Sequence, residues 1–149
     1  MDTGRLRAAH RQAYLLGLSL CVGTPVLVAA LMLSGGVPAG EQRPEGAMLQ
    51  VGTLFTGLVF LGGAWCLWRF GRVLAAFRSL APERRPGVVL REILVASAIL
   101  EASCLLGLAW WALVGAHAAR QAWAFVALSP GLFLALVPRA SRWERALEG

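Results

Sequence analysis

At 149 residues the chain has the length of one soluble domain, but with 58% hydrophobic and 15% charged residues it is too apolar for that class and belongs with membrane proteins. Its net charge is +6, and all fourteen basic residues are arginine. A nucleic-acid surface needs such charge spread over a soluble face, whereas here it is confined to the gaps between apolar runs, which excludes nucleic acid as a partner. Cys21, Cys66 and Cys104 fall inside or at the edge of apolar runs with no CxxC pair, and read as small buried hydrophobes.

The amino-terminal segment to Gln12 carries Arg5, Arg7, His10 and Arg11 against Asp2, and an apolar run over 13–33 follows. This run is read as the first span. Val37, Pro38 and Ala39 before Gly40 have the look of a signal-peptide cleavage site, but the run exceeds the usual signal core, so a retained span is expected. Pro25 lies within it and cannot donate to the carbonyl of Cys21, where a kink is expected. Residues 34–47 hold Gly, Pro, Glu41, Arg43 and Glu45, the composition of an exposed loop.

The second span is expected over 48–68. Thr53, Thr56, Gly57, Gly63 and Ala64 recur along it as a seam of small side chains that lets another helix approach. From Arg69 to Glu92 comes the most basic stretch, with Arg69, Arg72, Arg78, Arg84, Arg85 and Arg91. Phe70, Val73, Leu74 and Phe77 follow the helical period within it, so an amphipathic basic extension is expected after the second helix, ending near Ala81 before Pro82 and Pro86. These arginines set orientation and are candidates for docking anionic lipid headgroups.

The third span, over 93–113, carries Glu101 in the middle of an otherwise apolar run. Its nine Leu, Ile and Val residues contribute roughly 3 to 5 kcal/mol toward insertion, about enough to cancel the penalty of one carboxyl at the bilayer centre. Glu101 therefore requires hydrogen-bonding neighbours. Glu101 is the ninth residue of its span and Cys21 the ninth of the first, so the two lie at one depth. Cys21, Ser97 and Ser129 are the candidate partners of a protonated Glu101. The fourth span, over 121–138, has Ala127, Gly131 and Ala135 four residues apart, a second small-residue seam. The tail holds Arg139, Arg142 and Arg145, with Trp143 placed at headgroup level.

Twelve of the fourteen arginines fall in the amino-terminal segment, the middle stretch and the tail, leaving Arg43 and Arg120 for the other side. The positive-inside rule then puts both termini in the cytoplasm, in a plasma or bacterial inner membrane. Trp65 and Trp68 mark the inner interface; Trp110, Trp111 and Trp123 mark the outer one. The expected fold is a single all-α membrane domain, a four-helix transmembrane bundle.

No phosphate-cradling glycine loop, HExxH, paired Cys and His ligands or converging Ser, His and acid set is present. No catalytic residue, metal or cofactor is expected. From Arg91 to Arg139, with Glu101 followed by Leu105, Leu106, Gly107 and Leu108 and a helix ending in Pro138 and Arg139, the chain resembles the proteolipid or c-subunit family of rotary ATPases. The resemblance implies that Glu101 carries protons and that the chain assembles into a ring. The residues by themselves favour a structural or accessory subunit, packing with itself or in a larger complex, with Glu101 as a hydrogen-bonding group inside the bundle.

Overall fold

The computed structural model describes residues 3–148, and its regular structure is all helical, with no strand among the described residues. Asp2, counted above with the amino-terminal charges, lies outside them. Five helices follow in order: α1 (Thr3–Leu33), α2 (Ala47–Ala76), α3 (Arg85–Val114), α4 (Ala119–Leu136) and α5 (Ala140–Glu148). Three helical segments, Gly4–Leu33, Ala47–Ser79 and Pro82–Glu148, are long and apolar enough to cross a membrane. The third is folded back on itself at Gly115, so that α4 returns along α3.

Backbone chemistry explains the turns. Gly115 ends α3 with φ +55, a left-handed conformation that a side chain disfavours, and a Cβ there would run into the backbone of Gly40. Gly40 in turn lies against the carbonyl of Leu113. The 34–46 loop is therefore held on the end of α3: the Gly40 amide donates to the Trp111 carbonyl at 3.0 Å, and Trp111 Nε1 donates to the Val37 carbonyl at 3.3 Å. Carbonyls at a helix end, which lack partners within the helix, are partly satisfied by this loop. Pro25 sits buried inside α1 without ending it.

The central element is α3. On one side it runs parallel to α1, where Gly17 brings the backbones together: a Cβ there would overlap Ser97 Oγ and come within 2.8 Å of the Phe133 ring. Against α4 it runs antiparallel, with Gly107 at the closest approach. A Cβ on Gly107 would lie 2.8 Å from Val126 and 2.9 Å from the Ala122 carbonyl oxygen. Small residues at such contacts are how membrane helices gain van der Waals packing, because lipid supplies no hydrophobic drive to pair them. α2 packs along α3 and α4 and keeps most of its surface exposed.

Two apolar clusters fill the bundle, one from Leu6 to Trp143 around Phe70, Ile93 and Phe133, the other around Trp110, Val114 and Phe125 toward Gly115. Large apolar side chains also cover the outside, including Leu33, Phe60 and Leu61. An apolar exterior over a packed interior fits a lipid solvent.

The basic amphipathic extension expected after the second helix is a continuation of that helix: α2 runs on to Ala76 and a short turn follows to Ser79, with Phe70 and Phe77 turned inward onto Trp143 of α5 at ring separations of 6.5 Å and 4.9 Å. Two expectations about tryptophan placement change. Trp143 is consequently buried within the bundle instead of facing lipid headgroups, because these two rings offer it an aromatic pocket. Trp110 is buried as well, lying over Gly52 and edge-on to Phe55, so it belongs to the core and not to an aromatic belt.

Candidate functional site: a buried carboxyl between the helices

Glu101 lies between the two apolar clusters, after Leu100 of one and before Cys104 of the other, and is 6% exposed. The helical period of α3 turns it toward α1 and α4 while Ala98, Ala102 and Leu105 face outward. Ser129 of α4, fully buried, donates its hydroxyl to Glu101 Oε2 at 2.7 Å. The side chains of Cys104, Cys21 and Thr24 adjoin the same carboxyl. Glu101 Oε1 is buried without a hydrogen-bond partner.

The other candidates are arranged around this pair without bonding to it. Ser97 donates its hydroxyl to the Ile93 carbonyl of its own helix at 2.8 Å, and its own carbonyl accepts from Cys21 Sγ at 3.6 Å. Cys21 thus comes to the site through its thiol. Prolines stand at this level on both flanking helices, Pro25 on α1 and Pro130 on α4. Each removes one helical donor, so the carbonyls of Cys21 and Val126 lack their usual partners and the polarity of this depth exceeds what side chains alone supply.

The expected packing positions divide. Gly63 is buried and faces Leu136 of α4, whereas Gly57 and Gly131 have open space where a Cβ would stand, and Thr53, Ala127 and Ala135 are exposed. Thr53 spends its hydroxyl on the Leu49 carbonyl at 2.9 Å. The seam on α4 thus points away from the other helices of this chain.

The basic stretch also divides. Glu92, one residue before the third apolar run, is 2% exposed and was not singled out by sequence reasoning. Arg69 grips it with two hydrogen bonds, Nε to Oε2 at 2.6 Å and Nη2 to Oε1 at 3.0 Å, and Arg91 adds Nη2 to Oε1 at 2.8 Å. Two planar guanidinium forks on one carboxylate make a charge-assisted pair of the strong kind. Arg69 and Arg91, expected at lipid headgroups, are therefore both engaged by this buried carboxylate, Arg69 half-buried and Arg91 from the surface. Arg69 and Glu92 share a register with Gly62 and Ile99 in the antiparallel pairing of α2 and α3, where a Cβ on Gly62 would stand 3.1 Å from Ile99 Cγ2, a register that the sequence alone does not fix. Arg85 donates to the carbonyls of Leu80 and Arg78, which ties the α2–α3 connection together. Arg72 lies over the exposed Trp68 ring at 5.2 Å, and Arg84 is exposed.

At the same end of the bundle His10 donates Nε2–H to the Pro138 carbonyl at 3.0 Å and stacks on Tyr14. It is far in sequence level from Glu101. Among the described residues no three His, Cys, Asp or Glu side chains gather as metal ligands. The arrangement at Glu101 can hold one proton and join α3 to α4; it presents no activated nucleophile. No family model matches the chain, and neither a curated protein nor a solved structure is found to be similar to it.

Proposed function

We propose that this chain is a structural or accessory subunit of a plasma or bacterial inner membrane, crossing it four times with both termini and the α2–α3 connection on the cytoplasmic side. In this reading it packs with itself or in a larger complex, and Glu101 is an intramembrane hydrogen-bonding group that joins the helices. The observation that carries the role is the 2.7 Å bond from Ser129 to Glu101, buried where α1, α3 and α4 meet. A carboxyl facing the bundle and paired with a neutral hydroxyl is a structural polar contact of the kind membrane bundles use between helices.

The four crossings rest on length and reversal. α3 has 30 residues and α4 has 18, about 45 Å and 27 Å of helix against a hydrocarbon core of about 30 Å, and they lie antiparallel. The orientation rests on the arginines, since Arg7 bonds Glu144 of α5, Phe70 and Phe77 pack on Trp143 of α5, and Arg69 and Arg91 share Glu92, which brings the three arginine-rich segments to one end of the bundle. Arg72, Arg78 and Arg84 meet anionic headgroups there. The outward small face of α4, at Ala127 and Gly131, is the surface offered to a second copy or a partner.

A second reading, a proton-coupled carrier or proteolipid-like ring subunit, is favoured by one observation: Oε1 of Glu101 has no partner and leaves room for a proton to be taken up and released. One pair of variants separates the two. Glu101→Gln keeps a donor and acceptor of similar shape, whereas Glu101→Leu strands Ser129. For a structural role, Glu101→Gln retains stability and assembly in mild detergent and Glu101→Leu loses about 1 to 3 kcal/mol. A carrier loses proton flux in both, because an amide does not exchange charge states near neutral pH. Equal stability of Glu101→Leu and the native chain would remove the structural reading.

A further inference from the structure

The carboxyl-terminal arginines form a site that neither the buried carboxyl nor the Glu92 pair uses. Arg139, Arg142 and Arg145, with Ser141, line a polar pocket of about 360 Å³ where α4 gives way to α5. The three arginines recur every third residue, so Arg142 and Arg145 stand one helical turn apart on one face of α5, and Arg139 sits just before its first turn. The Arg142 amide bonds back to the Arg139 carbonyl at 2.9 Å, which fixes the corner.

The opposite face of α5 is occupied: Trp143 is fully buried against Phe70 and Phe77. That docking aims the arginines away from the bundle. Of the two acids on α5, Glu144 is bound to Arg7 and Glu148 lies outside the pocket lining, so no carboxylate faces the arginines within it. Arg145 spends Nε on the Ser141 carbonyl at 3.2 Å and keeps its terminal nitrogens available. Three guanidinium groups around a concave site, beside the amino end of a helix, are a phosphate-binding chemistry. The remaining wall is apolar, with Leu134 and Ala135 exposed at the end of α4. A free phosphate has no use for that wall; an acyl chain does.

We infer that the pocket formed by Arg139, Arg142 and Arg145 binds the phosphate of an anionic phospholipid, whose acyl chain lies along Leu134 and Ala135 of α4. The inference rests on the membrane reading above and deepens its lipid contact from a diffuse attraction to one defined site. It makes Arg142 and Arg145 a fork on the phosphate and Arg139 a third cation at the corner.

The test is native mass spectrometry of the full chain in a mild detergent, titrated with phosphatidylglycerol and, for comparison, zwitterionic phosphatidylcholine. The native chain retains the anionic lipid in preference to the zwitterionic one. Arg142→Gln with Arg145→Gln lowers retention of the anionic lipid about tenfold or more, and Arg11→Gln with Arg120→Gln, an equal loss of charge, lowers it less than about twofold. Arg142→Lys with Arg145→Lys keeps the charge without the fork and falls between them, which separates recognition from any loss of folding. Equal losses in the two glutamine pairs would overturn the site in favour of general attraction. Displacement of the lipid by millimolar inorganic phosphate would also overturn it, assigning the pocket to a free anion. Because retention is read in micelles, its failure leaves the crossing count and orientation untouched.

Discussion

Gly107→Ala puts one methyl group at the point where α3 and α4 touch. That Cβ would stand 2.8 Å from Val126 Cγ2, 2.9 Å from the Ala122 carbonyl oxygen and 3.0 Å from Phe125 Cβ. Ordinary contacts are about 3.5 Å or longer, so the helices must part by about half an ångström. Turning a flexible side chain aside cannot relieve it, because one of the three atoms is backbone and another is a Cβ. Overpacking of this kind costs about 1 to 3 kcal/mol, against which alanine regains up to about 1 kcal/mol of helix propensity. The net expectation is a loss of about 1 to 2 kcal/mol. The same shift would stretch the 2.7 Å bond from Ser129 to Glu101, two turns away on the same interface. Gly57→Ala is the matched control, since a Cβ there meets nothing within 4 Å, and it should be neutral or stabilising by up to about 1 kcal/mol. Unfolding in mixed micelles with rising denaturing detergent measures both. Equal midpoints for Gly107→Ala and the native chain would refute the close α3–α4 contact.

Other outcomes follow from the same packing. A double-mutant cycle of Glu101→Leu and Ser129→Ala, each of which removes the bond, should give a coupling of about 0.5 to 1.5 kcal/mol, the range of hydrogen bonds between membrane helices, and none if the two side chains do not meet. Glu92→Gln weakens a carboxylate held by Arg69 and Arg91; with Arg91 largely exposed the loss should be about 1 to 2 kcal/mol in the same unfolding assay, and Arg69→Gln should match it. Trp143→Ala empties the aromatic pocket under α5 and should expose the tail to protease, whereas Trp143→Phe should be tolerated because the indole N–H has no partner to lose. Gly131→Leu should leave the melting temperature of the monomer unchanged, since a Cβ there meets open space.

Much of this was legible because lipid-type sequences carry long apolar runs bounded by arginines. The first run became α1, the second became α2, and the turn near Pro82 and the reversal near Gly115 fell where prolines and glycine interrupt the pattern. Glu101 stood out because a lone carboxyl in such a run must be satisfied from another helix, and depth counting narrowed its partners to a few residues. Which face of each helix turns inward was harder to read. A small-residue seam can serve either side, and on α4 the buried stripe is Ala122, Phe125, Val126, Ser129 and Phe133 while Ala127, Gly131 and Ala135 face out. Trp143 and Glu92 escaped for a related reason. Interface statistics put tryptophan at headgroups and arginine in lipid phosphate, but Phe70 and Phe77 supply an aromatic pocket for the one, and Glu92 supplies a carboxylate for Arg69 and Arg91. Those pairings depend on tertiary contacts that composition does not encode.

The claim on which the rest stands is that Pro82–Glu148 crosses the membrane twice, placing Glu101 and Ser129 at mid-depth and all three arginine groups in the cytoplasm. Reporter fusions measure it directly. Fusions after Gly40 and after Ala118 should report the outside, and one after Pro82 should report the inside. A Pro82 fusion on the outside, or an Ala118 fusion on the inside, would contradict the account.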